Sequence, residues 1–452
     1  MTLPKLCRGI FYCLFSFVGL LALIAVGWFA VAWDESQIRG AREPYLVMSG
    51  SDRMTVRWVT DEPGHGKVFY GTAPDQLTSS VSEARANYDH RATLSGLKPA
   101  TRYYYRIKHN GKWLGKQAEW FYTAPNSGDE HVSRFWVLGD PGIAGPTQAS
   151  VRDAALSWLL LNEREQGGYL DLVLTTGDNA YTNGTNQEFS RSFFNPYRTI
   201  LKNIPVWPTF GNHDARRWAF YKLFDRPTQG ELGGVASNDK SYFSFDYGQT
   251  HFIFLDSQYG DSSEDSPMLK WLISDLAYNT QPWTIVLFHH PPYTASSHNS
   301  DDYKDSKGRM SRMRSNVLPL LEAASVDLVI TGHSHTYERS HLLQGHYGLS
   351  TSFHESMIVS QPQETAIGTP VYYKRPQATP SGTIYMVLGS SGEAFPSRSH
   401  PVTAYANDEP GSVVIDSERE QLQAYFINNK GQIRDHFIMR KEAASVGNVA
   451  LR

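Results

Sequence analysis

The sequence predicts a layered α/β domain preceded by an all-β sandwich, behind an apolar N-terminal segment long enough to cross a membrane. Three observations carry this. Ile10–Trp33 contains no charged residue. From Pro44 to about Pro125 apolar and polar residues alternate, with turn residues between the runs. Beyond about residue 130, short apolar runs each end in Gly-Asp, Gly-Asn or a histidine, with helical stretches between some of them. At 452 residues the chain exceeds one ordinary domain. The expected units are 1–38 (apolar segment and stalk), 39–126 (sandwich), 130–441 (α/β domain) and a tail, 442–452.

The apolar segment comes first. At 1.5 Å per residue, Ile10–Trp33 spans a ~30 Å hydrocarbon core. Lys5 and Arg8 precede it, and Asp34 and Glu35 follow it, which orients the N-terminus inward. A cleaved signal peptide is the rival reading, because Ala30-Val31-Ala32 has a small-x-small pattern. An anchor leaves the bulk of the chain on the outer membrane face, periplasmic or extracellular; cleavage leaves it secreted. Residues 34–42 are polar and read as a stalk.

In the sandwich, Met54–Val59 alternates as a half-buried strand should. Lys67–Gly71 and Tyr103–Ile107 are further strands. Leu97-Lys98-Pro99-Ala100-Thr101-Arg102-Tyr103 resembles the fibronectin type III segment in which a tyrosine hydroxyl locks a corner between strands. Asn126–Asp129 is a linker. After it, Phe135–Leu138, Leu172–Leu174, Ile285–Phe288 and Leu328–Ile330 are buried-strand candidates. Ala154–Leu161 and Met268–Leu276 are helix candidates, Tyr242–Leu255 is a hairpin around Gly248, and Gly382–Lys441 supplies further strands.

Composition narrows the function. Hydrophobic content of 40% and charged content of 19% suit a globular core, and a net charge of −3 provides no basic surface for nucleic acid. Cys7 and Cys13 are the only cysteines, so thiolate sites and disulfides are excluded from the globular part.

The chemistry is at the ends of the apolar runs. They lead into Gly139-Asp140, Gly177-Asp178-Asn179-Ala180-Tyr181, His289-His290 and Gly332-His333-Ser334-His335, with Gly211-Asn212-His213-Asp214 between the second and third. Ligands in open α/β sheets bind beyond the carboxyl ends of strands. One Gly-Asp is an ordinary turn; five such segments in order describe one metal site. Hard oxygen plus imidazole donors suit iron, zinc or manganese, and composition alone does not choose among them.

These blocks, Asp140, Asp178-x-x-Tyr181, Asn212-His213-Asp214, His289 and His333-x-His335, resemble the five blocks of the purple acid phosphatases within the calcineurin-like metallophosphoesterases. The likeness extends over roughly 40–441 and includes the sandwich domain of the large enzymes of that family, the run GHSHTYER and the terminal Asp435-His436-Phe437. It implies a four-layer β-sandwich flanked by helices. It also implies a ferric ion on Asp140, Asp178, Tyr181 and His335, with Asp178 bridging to a divalent ion (Zn, Mn or Fe) completed by Asn212, His289 and His333. Three ligand negative charges against five metal positives leave about +2 to meet a phosphomonoester dianion, and the two ions clamp the phosphate. A hydroxide formed on the metals is then expected to attack phosphorus, and His213 and His298 to contact the phosphate and assist the leaving alcohol. Family members often carry a histidine where this chain has Asn299. His290, Asp214, Glu338 and Arg339 are expected to support the ligands rather than touch substrate.

The function so implied is hydrolysis of small phosphate monoesters, an acid phosphatase. Two other readings share the sequence: a phosphodiesterase or nucleotide hydrolase with the same metal core, and a membrane-anchored binding protein whose phosphatase-like domain is inactive. Asn183-Gly184-Thr185 fits a glycosylation acceptor in a secretory pathway.

Overall fold

The computed structural model describes residues 17–30, 38–164, 168–216, 218–374 and 381–441. Residues 17–30 are helical and exposed, and no helix among the described residues is long and apolar enough to cross a membrane. Residues 10–16 and 31–33 of the expected span, residues 34–37 of the stalk, both cysteines and the tail lie outside the described residues.

Seven strands build the N-terminal sandwich: β1 (Arg42–Val47), β2 (Arg53–Gly64), β3 (Gly66–Gly71), β4 (Ser79–Ser82), β5 (Asn87–Ser95), β6 (Arg102–His109) and β7 (Lys112–Tyr122). They form two sheets, β1-β2-β5 and β4-β3-β6-β7, around Met54, Val56, Trp58, Tyr105 and Phe121. The corner is as expected: the Lys98 N–H donates to the Tyr103 hydroxyl at 3.0 Å.

Two expectations are corrected here. β2 is not half-buried, because its polar positions Thr55 and Arg57 are covered as well. Arg57 donates to the Lys222 carbonyl at 2.6 Å and holds Asp89 at 2.7 and 2.8 Å, while Tyr45, Val47 and Val59 join the core of the following domain. Alternation marks two faces; here the second face meets protein instead of water. Nor is the whole of 34–42 a stalk. Ile38 is buried in that same core, and Arg42, where β1 begins, donates to Asn186 and Ser190.

The α/β domain begins with β8 (Ser133–Leu138), α1 (Pro146–Leu161), β9 (Leu172–Thr175), α2 (Asn195–Leu201) and β10 (Val206–Pro208). The hairpin β11 (Phe243–Tyr247) and β12 (Thr250–Phe254) follows, then α3 (Pro267–Tyr278), β13 (Trp283–Leu287), α4 (Leu318–Ala323), β14 (Leu328–Thr331) and β15 (Tyr337–Ser340). The short β16 (Leu342–Leu343), β17 (Ile358–Ser360) and β18 (Gln363–Glu364) precede β19 (Pro370–Lys374), β20 (Ile384–Leu388), β21 (Thr403–Asn407), β22 (Gly411–Ser417), β23 (Gln421–Asn428) and β24 (Ile433–Lys441). An eight-stranded sheet runs β10-β9-β8-β22-β23-β24-β19-β18, and a seven-stranded sheet runs β11-β12-β13-β14-β20-β15-β21.

The two sheets pack face to face through Phe135, Val137, Phe252, Ile285, Met386 and Phe426. α1 covers the outer face of the first sheet at β22 and β23. α3 and α4 cover the second through Leu272, Leu318 and Leu321 against Val286 and Val329. This is a four-layer arrangement. α1 starts at Pro146, eight residues before the expected Ala154. Its first half is polar in sequence, but Gln148 takes the place of an apolar residue on the buried stripe with Val151, Ala155 and Leu159. Its amide is satisfied by the Pro141 and Ser192 carbonyls.

Candidate metal centre

β8, β9 and β10 are mutually parallel in one sheet, and β13 and β14 are parallel in the other. Residues that follow their carboxyl ends meet across the two sheets, as Asp178 with His289 and Tyr181 with His335. Each side chain expected to bind metal hangs from the turn that leaves such a strand. Three of these residues, Asp140 (φ 49°), Asp178 (φ 50°) and His333 (φ 65°), occupy the left-handed region. Non-glycine residues are held there only where the surroundings over-determine them, and such strain gathers at functional sites. The preceding glycines leave no room for a side chain. A Cβ on Gly211 would sit 2.2 Å from Asp178 Oδ1, and one on Gly332 would sit 2.2 Å from Asp140 Oδ1.

Seven polar groups converge. The Tyr181 hydroxyl oxygen lies 3.0 Å from Asp178 Oδ2, 3.3 Å from Asp140 Oδ2 and 3.0 Å from His335 Nε2. Alongside, His289 Nε2 lies 3.0 Å from Asn212 Oδ1 and 3.4 Å from Asp178 Oδ2. Asp178 thus faces both groups. The His333 ring is 5.0 Å from that of His289, and its Nε2 meets the Ser306 hydroxyl at 2.7 Å. Asp140–Asp178–His289 and His289–His290–His333 are each close enough to share one ion. His289 Nδ1 donates to the Thr176 carbonyl at 2.9 Å, which fixes the tautomer and leaves Nε2 as the donor atom for a metal.

The electrostatics fit a cation. Burial, then Asp178 and Asp140, push the Tyr181 phenol well above its ordinary range. Burial opposes ionisation of Asp178, yet His289 and His213 beside it hold its carboxyl well below the usual value. Burial would lower His289, but Asp178 and Asp140 raise it to about 9. Two buried carboxylates this close together favour positive charge beside them, from a protonated imidazole or from a metal ion. The donor set, hard oxygens with imidazoles, is one that a metal pair satisfies.

His213 packs against the Tyr181 ring of this cluster and His298 against its His333 ring. His213 stacks on Tyr181 (4.1 Å between centroids), donates its backbone N–H to Asp178 Oδ1 at 2.7 Å and bonds the Thr182 carbonyl through Nδ1 at 2.7 Å. His298 stacks on His333 at 3.8 Å, and its Nδ1 meets Asp305 Oδ1 at 2.9 Å. The Asn299 side-chain oxygen accepts the Asp301 N–H in a local turn.

The supporting residues are also placed. Asp214, wholly buried, accepts from the backbone of Asn179 and Gly211 and so ties two metal-site turns together; burial and Asp178 raise it to about 7. His290 pairs with Ser257, and Glu338 accepts from Thr294 and Ser296. Arg339 forms a buried double hydrogen bond with Asp435. Sequence reasoning missed Thr176, Ser257, Asp305 and Ser306. A signal for the last two was the Asp305-Ser306-Lys307-Gly308 turn, whose Ser306 and Lys307 are left-handed.

Comparison with known proteins matches both domains. A family model described as purple acid phosphatase N-terminal domain matches residues 42–123, and one described as calcineurin-like phosphoesterase matches 133–337. Purple acid phosphatase 18 of Arabidopsis thaliana is 28% identical over 325 residues, covering 68% of each chain. Acid phosphatase type 7 of Mus musculus is 25% identical over 382 residues, covering 77% of this chain and 76% of its own length. The solved purple acid phosphatase PPD1 of yellow lupin (Lupinus luteus) superposes with a TM-score of 0.69 at 18% identity, covering 89% of this chain and 75% of its own. The chain thus carries a purple acid phosphatase N-terminal domain followed by a calcineurin-like phosphoesterase domain, and it is similar in sequence to proteins named purple acid phosphatase.

Proposed function

We propose that this protein is a metal-dependent acid phosphatase that hydrolyses small phosphate monoesters at a dimetal centre. One observation carries the reading: seven ligand-type groups from five strand-end turns meet across the two sheets, with Asp178 facing both halves of the cluster. Asp140, Asp178, Tyr181 and His335 would hold Fe(III). Asp178, Asn212, His289 and His333 would hold a divalent ion, Zn, Mn or Fe. Once bound, the pair supplies Lewis acidity and an activated water for attack on phosphorus.

The protein's own groups then orient the ester and move protons. The Thr182 carbonyl fixes the hydrogen of His213 on Nδ1, so Nε2 is the atom that can meet a phosphate oxygen. Asp305 orients His298 in the same way, which leaves its Nε2 as the second candidate to protonate the leaving alcohol. The uncharged run Ile10–Trp33 behind Lys5 and Arg8 supports a location outside the cytoplasm, anchored or, if cleaved, secreted.

Metal analysis with visible spectroscopy tests the ferric assignment. A tyrosinate-to-iron band is expected in the detergent-solubilised chain and is lost in Tyr181→Phe. A colourless protein holding two divalent ions rejects it. Assays on p-nitrophenyl phosphate and its bis-ester test the reaction, and cleavage of the diester alone would overturn the monoesterase reading.

A further inference from the structure

The candidate metal centre borders a hollow through one of its own residues, His335. This hollow of about 450 Å³ opens past His335 and His298, walled by Ser296 and Ser297 and by Phe395, Pro396 and Arg398 of the segment that follows β20. Neither the metal ligands nor the proton donors proposed above come from this segment. Its attachment to the site is nonetheless direct: the Phe395 N–H donates to the His335 carbonyl at 2.7 Å, and the Arg398 N–H donates to the Ser296 hydroxyl at 2.9 Å.

Two side chains on this wall have no structural employment. Phe395 lies against the His335 imidazole, with centroids 5.5 Å apart and planes within 18°, but stays 40% exposed. An exposed phenylalanine at the mouth of a polar site offers a flat apolar face. Arg398 is exposed, and among the described residues its guanidinium enters no hydrogen bond or ion pair. Glu393, an acid of the same segment, does not line the hollow.

We propose that Phe395 and Arg398 form the leaving-group subsite and select phosphate monoesters whose leaving group is a planar ring carrying a carboxylate. The inference rests on the phosphomonoesterase reading. With the phosphate at the metal cluster, the ring stacks on Phe395 and the carboxylate reaches the Arg398 fork. Water adds to phosphorus, the bond from phosphorus to the ring oxygen breaks, and that oxygen departs with a proton as the phenol. A flexible uncharged alcohol gains neither contact.

The test compares kcat/KM for 4-carboxyphenyl phosphate, phenyl phosphate and glycerol 2-phosphate in the metal-replete full chain. Each ratio is read relative to wild type, so intrinsic leaving-group reactivity cancels. Arg398→Gln is expected to lower the carboxyphenyl-to-phenyl ratio about 5-fold, the size of a half-exposed charge pair, and Arg398→Lys to restore part of it. Phe395→Ala is expected to lower the phenyl-to-glycerol ratio about 3- to 10-fold. Calorimetry with 4-carboxybenzylphosphonate against benzylphosphonate should show the same Arg398 dependence in binding alone. If all three esters are hydrolysed and the ratios stay within about twofold of wild type, where a pair contributes nothing measurable, the subsite is refuted. If none is hydrolysed, the monoesterase reading fails, and the phosphonate comparison still decides the subsite.

Discussion

Replacing Asp435 with alanine should destabilise the α/β domain far more than an ordinary edge-strand substitution. Asp435 lies on β24 of one sheet and Arg339 on β15 of the other. The guanidinium grips the carboxylate at 2.7 and 2.9 Å, the Tyr337 hydroxyl adds a third bond at 2.7 Å, and Arg339 also donates to Tyr372 at 2.6 Å. Arg339 is 3% exposed and Asp435 7%. Asp435→Ala removes three accepted hydrogen bonds and leaves a buried guanidinium with a single hydroxyl. Breaking a buried pair in this way costs about 3–5 kcal/mol. At about 2–4 °C per kcal/mol for a domain of this size, Tm should fall by roughly 6–20 °C. The double variant Arg339→Met/Asp435→Leu leaves no uncompensated charge and should recover to within about 2 kcal/mol of wild type. Urea and thermal unfolding followed by circular dichroism read both. A cost below about 1 kcal/mol for Asp435→Ala, the scale of a surface pair, would refute the reasoning, as would a double variant no better than the single one.

Other expectations follow from the same geometry. Gly211→Ala places a Cβ 2.2 Å from Asp178 Oδ1, so metal retention, measured by elemental analysis after dialysis, should weaken tenfold or more, on the order of losing an outer support. Arg57→Ala uncouples β2 from the Lys222 carbonyl and from Asp89; it should cost about 2–3 kcal/mol and split unfolding into two transitions, where retained single-step unfolding would count against the coupling. Burial alone would lower His251, but Asp246 at 2.7 Å and Asp275 at 2.9 Å raise it to about 9. Its folded value is above the unfolded one, so its stabilisation is full below about pH 6.5 and is lost as pH rises through 9. His251→Asn should flatten stability between these limits by up to about 3 kcal/mol, read as denaturation midpoints across pH.

Much of this architecture was legible in the chain. Buried strands show as short apolar runs, and polar residues immediately after a run are conspicuous because little else in a core strand is polar. That is why Asp140, Asp178, Asn212, His289, His333 and His335 could be picked out. Tyr103 was legible for a similar reason, as its corner is local in sequence. The polar start of α1 was not, because Gln148 behaves as a core residue only where the Pro141 and Ser192 carbonyls happen to meet it. Thr55 and Arg57 read as solvent-facing because alternation reports two faces without naming what covers the second.

By itself, the sequence determined the order of the domains, the strand-end positions of the ligand residues and the chemical type of the site, since these follow from local hydrophobic pattern and donor chemistry. The tertiary structure alone decided which of those residues touch. Tyr181 reaches His335 across 154 positions because two separate sheets bring together the turns that follow their strands. The same holds for Arg339 and Asp435, and for Phe395 and Arg398 beside His335 of the candidate metal centre. Contacts of that range depend on how sheets stack, and stacking is a sum over the whole core that no short stretch of sequence records.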